Sequence, residues 1–564
     1  MIAPLRRRAT AASTQTQFEP RAMSTLTGWL DALALLLLTI AVAVLFQTSP
    51  RRGDFWWSDA PRHAMDGAFY QDFFHDLPFR HAKQYAVDYY VQYPALTIVF
   101  YPPLFAVVES VFFRVFGVTH WAAQLAVAFF YLIAAFGTYF LSRRWLDEIS
   151  AFAVSLLFIS LPEVALWGRQ VMLEIPACAF LIWSAFVLFR YLDRGTAWRL
   201  YLLVVLLGCG AYTKQTVLFI APVFAWALWD QKRWSLLHDR HFWGSAFLLA
   251  AELMPLAILT LKFGHANLDS VVGGQWTEVA VFSLRGWLYY LRQFPSQLGW
   301  LVTVLAALYL SFGYFRHKWR EPVFRILIGW VVVGYVFFSL IALKEPRHTV
   351  FLLIPAAIFA IEGLRAILPN RIAPYAGLAL SLFCFTLTIY AQHVPSVRGY
   401  QEAVDYVASH APRDSVVLFS GYRDGSFIFD LRTREDRRDL SVLRADKLLL
   451  RVAIKRELGV TERGVSEAQL AEMLNHFNVT YVVSQPNFWN DLSSMQHLQN
   501  VLHTNQFRRV ATIPIVANVN HVDQELEIYQ NVGPVNATKE RIHLDLPIIG
   551  LDVEGTLGGK NAKQ

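Results

Sequence analysis

Carboxylates and aromatic rings are concentrated in one part of the chain, the 48–121 segment. Its aspartates are Asp54, Asp59, Asp66, Asp72, Asp76 and Asp88, and its histidines include His63, His75 and His81. Carboxylates accept hydrogen bonds from sugar hydroxyls, whereas aromatic rings pack on the apolar face of a sugar. A single Trp or Tyr here could equally belong to the aromatic belt of a membrane interface. The mixture of both side-chain types indicates a sugar-binding site.

A second group of charged residues lies in short loops between later apolar runs. It consists of Arg169, Glu174, Lys214, Lys344, Glu345, Arg347 and His348. Charged side chains beside a bilayer are energetically costly. Any one of them could snorkel to the interface or form a structural ion pair. Together, however, the cations suit an anionic ligand, and a phosphate at the membrane surface is the natural candidate.

The two groups together predict a transfer reaction on a sugar that is carried by a lipid phosphate. Such a reaction needs a base that takes the proton of the acceptor hydroxyl. It also needs cations that stabilise the leaving phosphate. Much of the remaining rate enhancement comes from positioning the two substrates.

The composition restricts the class of protein. The 564 residues are 55% hydrophobic and 16% charged, whereas soluble domains have roughly 25% charged residues. An aromatic content of 15% excludes a disordered chain. Cys178, Cys209 and Cys384 each lie inside an apolar run, which excludes a disulfide scaffold and a cysteine-ligated zinc site. The net charge of +7 reflects basic loops, because no basic stripe of the kind that binds nucleic acid is present.

The elements that must position the charged groups are predicted to be transmembrane helices. A span needs roughly 20 mostly apolar residues. The sequence has 11 apolar runs: 26–47, 122–142, 150–167, 174–192, 199–212, 215–230, 242–263, 297–315, 325–343, 349–368 and 374–392. The run at 102–117 contains Glu109 and Arg114 and begins with two prolines, so it is predicted to be a helix that lies in the interface.

Basic residues are distributed unevenly between the two sides of these predicted spans. They cluster in 1–25 and in alternate short loops, which the positive-inside rule places in the cytoplasm. The sequence therefore predicts a multi-pass plasma (inner) membrane protein with a cytoplasmic N-terminal tail, 1–25, and a transmembrane module, 26–392. The 48–121 segment would be its first outer loop. The remaining residues, 393–564, which we call the tail, would lie on the same outer or periplasmic side.

The tail has a different pattern from the rest of the chain. Helix-like stretches at 399–410 and 466–477 alternate with strand-like runs at 415–420, 479–484 and 525–530. Alternation of this kind is typical of an α/β domain. The predicted fold class is therefore an α-helical polytopic membrane protein with about 11 spans and a C-terminal α/β extracytoplasmic domain.

Five pieces of sequence, the last two of one basic type, resemble the polytopic glycosyltransferases of the C superfamily. They are SDAPRHAMDG at 58–67, YPPLF at 101–105, RQVMLEIP at 169–176, and the basic motifs TKQ at 213–215 and KEPRH at 344–348. They are similar, in order and spacing, to motifs of the branch that contains protein O-mannosyltransferases and the aminoarabinose transferases of lipid A. The tail segment GYRDGSFIFDLRTREDRRDLSVLRADK at 421–447 also resembles relatives of this family 39-like group, and it suggests a domain that helps to bind the acceptor.

The resemblance implies inverting transfer of a sugar from a polyprenyl-phosphate donor on the outer side of the membrane. Asp59 matches the catalytic aspartate and would be the general base. The implied donor-phosphate ligands are Lys214, Lys344, Arg347 and Arg62. The implied substrate-binding residues are Glu174, Arg169, Asp88, Tyr101 and His348. Asp66 is an alternative base.

Several alternatives follow from the same residues. Where the family often has Glu after the catalytic Asp, this chain has Ala60, so no metal ligand is assigned, and a divalent cation is left as an option. The expected partners are the lipid-linked donor, an extracytoplasmic acceptor (protein, glycolipid or cell-envelope glycan) and the bilayer, without nucleic acid. A flippase for a lipid-linked sugar, or a membrane scaffold whose outer domain binds glycan, would use a similar surface without needing Asp59 as a base.

Overall fold

The computed structural model of the chain describes residues 28–264, 271–272, 279–452, 456, 459–536, 541–546 and 551–557. The predicted N-terminal tail at 1–25 lies outside the described residues. Up to residue 390 the regular structure is helical. Its helices are Trp29–Gln47 (α1), Ala60–Asp76 (α2), Ala82–Gln92 (α3), Leu104–Phe116 (α4), His120–Ser142 (α5), Glu148–Ser160 (α6), Pro162–Trp167 (α7), Glu174–Arg194 (α8), Ala197–Thr213 (α9), Ala221–Lys232 (α10), Arg240–Phe263 (α11), Leu284–Leu298 (α12), Trp300–Phe315 (α13), Pro322–Ser339 (α14), Leu353–Ile367 (α15) and Ala373–Tyr390 (α16).

Seven of the helices in the described ranges are long and apolar enough to cross a membrane, or eight if the bent pair α12–α13 is one span. The predicted count of 11 spans is therefore not confirmed. Helices do occupy all 11 apolar runs, but some are interrupted. The run at 150–167 is divided where Pro162, which lacks an N–H, starts α7. The run at 215–230 begins as a 3₁₀ stretch, Gln215–Ile220, so that only 12 residues remain for α10.

The break between α12 and α13 is a turn rather than a smooth bend. The two helix axes differ by 118°. Gly299 sits between them with φ +81°, a conformation that a side chain would make unfavourable. The predicted span at 297–315 therefore begins inside this turn, and α13 runs through the rest of it.

The 48–121 segment folds into three helices, α2, α3 and α4. Two prolines precede α4, and 13 residues give it a length of about 20 Å, short of the ~30 Å hydrocarbon core. The helix predicted at 102–117 is therefore present, and its place in the interface stays a prediction. Helix α4 packs on α2 so closely that a Cβ on Gly67 would meet the Glu109 carboxylate and the Phe113 ring.

The tail contains the expected mixture of helices and strands. Its main sheet has five strands in the order β3-β2-β6-β9-β7. Strand β2 pairs in parallel with β3 and β6, whereas β9 pairs antiparallel with β6 and β7. The tail elements are Val397–Arg398 (β1), Tyr400–His410 (α17), Val416–Ser420 (β2), Asp424–Thr433 (α18), Ser441–Arg444 (β3), Ala445–Leu449 (α19), Leu450–Val452 (β4), Val460–Glu462 (β5), Glu467–His476 (α20), Val479–Ser484 (β6), Ser493–Leu502 (α21), Phe507–Pro514 (β7), Val516–Ala517 (β8), Glu525–Asn531 (β9), Arg541–Leu546 (β10) and Leu551–Thr556 (β11).

Buried polar contacts fasten the tail to the 48–121 segment. Asp54 accepts hydrogen bonds from the first N–H groups of α17, those of Tyr400 at 2.9 Å and Gln401 at 3.0 Å. The Arg432 guanidinium is fully buried and lies 2.7 Å from the Asp72 carboxylate on α2. These contacts join α2 and the segment before it to the tail helices α17 and α18, so the tail holds the helix that follows Asp59.

Replacement of Arg432 by Met is expected to weaken this attachment. Breaking a buried ion pair costs about 3–5 kcal/mol, and we expect about 3, because Arg438 still lies 2.9 Å from Asp72. Arg434→Met is the matched control, since that arginine pairs with the exposed Asp405 and Asp436 and should cost less than about 1 kcal/mol. Thermal unfolding of both variants in the same lipid provides the measurement. Equal destabilisation by the two variants would show that burial of the Arg432 pair is unimportant.

Candidate active site

Asp59 lies at the junction between the bundle and the tail, immediately before α2. Its carboxylate makes no capping hydrogen bond to the helix and instead faces Arg347, whose Nη1 lies 3.0 Å from Oδ2. Burial alone would raise the pKa of Asp59, but the positive charges of Arg347 and Arg62, and of His63 in the acidic range where it is protonated, outweigh it and lower the pKa to about 2. Asp59 is therefore ionised at neutral pH and can accept a hydrogen bond from a hydroxyl.

Three further predicted residues join Asp59 in a continuous chain of charges. Glu174 is the first residue of α8, and Lys214 follows the last residue of α9, with Nζ 2.5 Å from the Glu174 Oε1. The Arg347 Nε lies 3.9 Å from the same oxygen and also pairs with Glu345. The helix ends thus bring together, at one end of the bundle, groups that lie up to 288 residues apart.

Aromatic and imidazole rings surround this charged chain. The rings of His63 and Tyr101 meet edge-on, with centroids 4.5 Å apart. Burial lowers the pKa of His63 to about 4, so its imidazole is neutral. Burial, together with the Asp59 carboxylate, raises the pKa of Tyr101 well above its usual value. His348 follows Arg347, and its Nδ1 lies 3.3 Å from the Tyr290 hydroxyl.

Arg62 and Lys344, which were predicted to bind phosphate, have protein partners in this structure. Arg62 donates to the Ser58 carbonyl at 2.7 Å and pairs with Asp424 of the tail at 3.2 Å. The Lys344 ammonium donates to two carbonyl oxygens at the end of α14, those of Ser339 at 2.5 Å and Ile341 at 2.6 Å. Arg62 lines the cavity described below. Lys344 supplies hydrogen bonds to carbonyl oxygens that have no partner within the helix at the end of α14.

The structure places Arg169 and Asp88 away from this chain of charges. The Arg169 guanidinium is buried and donates to the Ala165 carbonyl at 2.9 Å and to the Thr48 hydroxyl at 3.2 Å. Asp88 lies on α3 and accepts a hydrogen bond from Gln84 at 2.9 Å. Both are bound to local partners, and their predicted roles in substrate binding gain no support from the geometry.

A cavity of about 390 Å³ opens beside Asp59, between the 48–121 segment and the tail. The first wall contains three predicted residues, Asp59, Arg62 and Tyr101. The opposite wall is formed by tail residues that carry no role in the sequence-based assignment: Gly421, Tyr422, Asp424, Arg444, Asp446, Lys447, Val452, Arg456, Phe488 and Trp489. Six of these residues lie in the segment at 421–447, whose resemblance to family 39-like relatives could have indicated a role for them.

Asp66, the alternative base, supports the cavity wall instead of lining it. Its two carboxylate oxygens accept hydrogen bonds from the Thr97 N–H at 2.6 Å and the Thr97 hydroxyl at 2.8 Å. Burial raises the pKa of Asp66 to about 7, although these hydrogen bonds oppose the shift. Asp66 is therefore a positioning residue for Thr97, which does line the cavity.

The raised pKa of Asp66 gives a testable pH dependence of stability. Between the unfolded pKa of about 3.9 and the folded value of about 7, the native state holds a proton that the unfolded chain has released. Stability therefore falls as pH rises through this window. Asp66→Asn keeps an acceptor for Thr97 but does not titrate, so its melting temperature relative to wild type should rise by about 2–4 °C between pH 5 and pH 8. Asp88→Asn is the surface control. A difference that does not change with pH would refute the assignment.

Within the described ranges, no group of three or more His, Cys, Asp or Glu side chains is arranged to hold a metal ion. The candidate site consists of a chain of ion pairs at the helix ends and a cavity between the 48–121 segment and the tail.

Comparisons with known proteins agree with this architecture. Residues 101–258 match the family model described as dolichyl-phosphate-mannose-protein mannosyltransferase. A search of curated proteins gives no match. The structure is similar to ArnT from Cupriavidus metallidurans bound to undecaprenyl phosphate, with 14% identity, a TM-score of 0.58, and coverage of 90% of this chain and 99% of that one. The apo form of that ArnT gives 14% identity, a TM-score of 0.57, and coverage of 88% and 98%.

A third structure, the apo oligosaccharyltransferase of Archaeoglobus fulgidus, has 12% identity and a TM-score of 0.51, covering 82% of this chain and 70% of that chain. At these identities the likeness concerns the fold. The predicted fold, a bundle of apolar helices with a strand-containing C-terminal region, is confirmed, and it is similar to the folds of ArnT and the oligosaccharyltransferase. The chain is a multi-pass membrane protein with this fold.

Proposed function

We propose that this protein is a glycosyltransferase that moves a sugar from a polyprenyl-phosphate donor to an acceptor hydroxyl on the outer side of the plasma (inner) membrane. The observation that carries the proposal is the Asp59 carboxylate, which lines the cavity and lies 3.0 Å from Arg347. A carboxylate that can take a proton lies next to a cation that can receive a phosphate. This is the pair of groups that sugar transfer requires.

The proposed reaction is a single displacement. The acceptor oxygen attacks the anomeric carbon, and the bond from that carbon to the phosphate oxygen breaks, which inverts the configuration. Asp59 takes the hydroxyl proton as the new bond forms. The electron pair of the broken bond leaves on the polyprenyl phosphate, where Arg347 and Lys214 offset its charge. The match of residues 101–258 to a lipid-phosphate mannosyltransferase model and the undecaprenyl phosphate in the ArnT structure support this donor class.

Donor binding must rearrange the charges that the structure shows. Arg347 and Lys214 are already neutralised by Asp59, Glu174 and Glu345. A donor phosphate can therefore bind only if Arg347 exchanges a carboxylate for it. When that carboxylate is Asp59, its pKa rises from about 2, and it becomes a stronger base at the moment the donor is in place.

The experiment that tests the proposal is a transfer assay with purified full-length protein in lipid nanodiscs. Radiolabelled polyprenyl-phosphate sugars serve as donors, and a cell-envelope extract serves as acceptor. We expect label to move from lipid to extract with at least one donor. If no donor is used by folded protein, but labelled lipid changes leaflet in proteoliposomes, the flippase alternative replaces the proposal.

A further inference from the structure

The tail wall of the cavity carries an aromatic cluster made of Tyr422, Phe488 and Trp489. The rings of Phe488 and Trp489 are stacked with centroids 4.6 Å apart, and Tyr422 meets Phe488 edge-on at 4.9 Å. Trp489 has φ +49°, a left-handed conformation that is strained for a residue with a side chain. Such strain persists only where the surroundings enforce it, and it is concentrated at ligand sites.

Four charged residues of the same cavity pair with one another, whereas Asp59 and Arg456 pair with residues outside it, Arg347 and Asp491. Arg444 lies 2.6 Å from Asp424 and 2.7 Å from Asp446, and Arg62 lies 3.2 Å from Asp424. Two arginines are thus matched by two aspartates. Lys447 lines the cavity beside them, yet its ammonium has no hydrogen-bond or ion-pair partner among the described residues.

An ammonium without a counter-ion is unfavourable where water is partly excluded. Burial, with the help of the neighbouring Arg444, lowers the pKa of Lys447 to about 8. An anionic ligand group beside Lys447 would offset this cost. Arg456, whose guanidinium carbon lies 5.5 Å from the centroid of the Trp489 ring, is already paired with Asp491, so Lys447 is the cation available to such a group.

The size of the cavity suits a small saccharide unit. Its volume of about 390 Å³ falls within the roughly 300–1,000 Å³ typical of ligand pockets. Because Asp59 opens into the same cavity, a ligand bound to the tail wall would have hydroxyl groups within the space that the proposed base reaches.

We propose that the tail wall is an acceptor subsite for a saccharide with an acidic group, in which Lys447 binds the acidic group and the aromatic cluster contacts the sugar ring. This inference rests on the proposed function, since it names the class of acceptor. A carboxylate and a phosphate share the required chemistry. Rings that meet in a cluster favour the apolar face of a sugar over an extended peptide.

The test is a binding measurement on the full chain in nanodiscs, read by tryptophan fluorescence and calorimetry. The probes are methyl glucuronide, glucose 6-phosphate, neutral methyl glucoside, inorganic phosphate and an acidic pentapeptide. We expect one acidic sugar to bind about 10-fold more tightly than methyl glucoside, because a charge-assisted contact is added. Whichever acidic sugar binds more tightly identifies carboxylate or phosphate as the recognised group.

Three variants separate the contributions of charge and ring. Lys447→Met should reduce the affinity for the acidic sugar to that for methyl glucoside, whereas Lys447→Arg should retain most of it. Trp489→Leu should lower the affinity for the acidic and the neutral sugars by the same factor. Unchanged acidic-sugar affinity in Lys447→Met overturns the inference. So does tighter binding of the peptide, or of inorganic phosphate, than of either acidic sugar.

Failure of this inference is distinguishable from failure of the proposed function. Undecaprenyl phosphate binding and transfer of label are measured on the same preparations. If the wild type transfers label, and if Lys447→Met binds the acidic sugar as tightly as the wild type does, only the acceptor subsite is overturned. A protein that neither binds the lipid nor transfers label would overturn the proposed function, whatever the sugars show.

Discussion

Asp59→Asn is expected to lower the rate of sugar transfer by about 10²–10⁴-fold, the usual contribution of a positioned general base. The asparagine has nearly the same shape but cannot take the proton of the acceptor hydroxyl. Because the Asp59 side chain makes no capping hydrogen bond to α2, the substitution removes no helix cap. The measurement is the initial rate of label transfer at saturating donor.

The control for this variant is the binding of undecaprenyl phosphate, which should change by no more than a few-fold, together with an unaltered melting curve. Asp76→Asn, on an exposed part of the same helix, provides a matched substitution that should retain wild-type transfer. Equal transfer by Asp59→Asn and wild type would remove Asp59 from the mechanism. Asp424 and Asp446, the other carboxylates of the cavity, would then be the next candidates.

Arg347→Gln is expected to lower transfer by about 10²–10³-fold, the usual cost of removing one group that stabilises developing negative charge. Arg347 is the link between Asp59, at 3.0 Å, and Glu174, at 3.9 Å. Its removal leaves the departing phosphate with Lys214 alone. Donor affinity should fall together with the rate, because the phosphate is charged both before and after transfer.

The pH profile distinguishes this role from a purely structural one. Since Arg347 is the main cation that lowers the pKa of Asp59, the pKa in Arg347→Gln should rise from about 2 towards its ordinary value. Asp59 must be ionised to act as a base. At low donor concentration, where the rate reports the free enzyme, the residual activity of the variant should therefore fall at mildly acidic pH, where the wild type still retains its activity. If Arg347→Gln were slower than wild type but lost activity at the same acidic pH, Arg347 would not control the pKa of Asp59.

Arg365→Gln is the matched control for Arg347→Gln. Arg365 pairs with Glu362 at 3.0 Å within α15, so the substitution also removes an arginine from an ion pair. It has no contact with Asp59 in the described structure, and we expect transfer close to the wild-type rate. A comparable loss in both variants would indicate general destabilisation rather than loss of a phosphate ligand.

The helices of the bundle and the strands of the tail were largely predictable from sequence. Long apolar runs can bury their backbone groups in lipid only as helices, so each run gave a helix near its expected position. The strands at 416–420 and 479–484 followed from short apolar runs between helical stretches. The number of spans was not predictable in the same way. Hydropathy measures how apolar a run is, and it does not show that a helix is interrupted inside the run, as at Pro162 and Gly299.

The candidate site was only partly predictable. Glu174, Lys214 and Arg347 stood out because charged residues beside apolar runs are rare, whereas Asp59 was assigned through the resemblance of its motif. The fold brings these four residues together. Arg169 stood out for the same reason, yet its guanidinium bonds to Ala165 and Thr48. Composition and spacing cannot distinguish an arginine that joins helix ends from one that faces a ligand.

The sequence by itself determined the membrane class, the positions of the helices and strands, and the types of charged group available for sugar transfer. The physical reason is that hydrophobic burial and backbone hydrogen bonding act over short stretches of chain. Only the tertiary structure decided which charges pair, and it left the Lys447 ammonium without an ion-pair partner among the described residues. Asp424, Arg444 and Lys447 enter the cavity because the tail folds back on the 48–121 segment. Such contacts join residues more than 300 positions apart and depend on tertiary packing, which local sequence patterns do not predict.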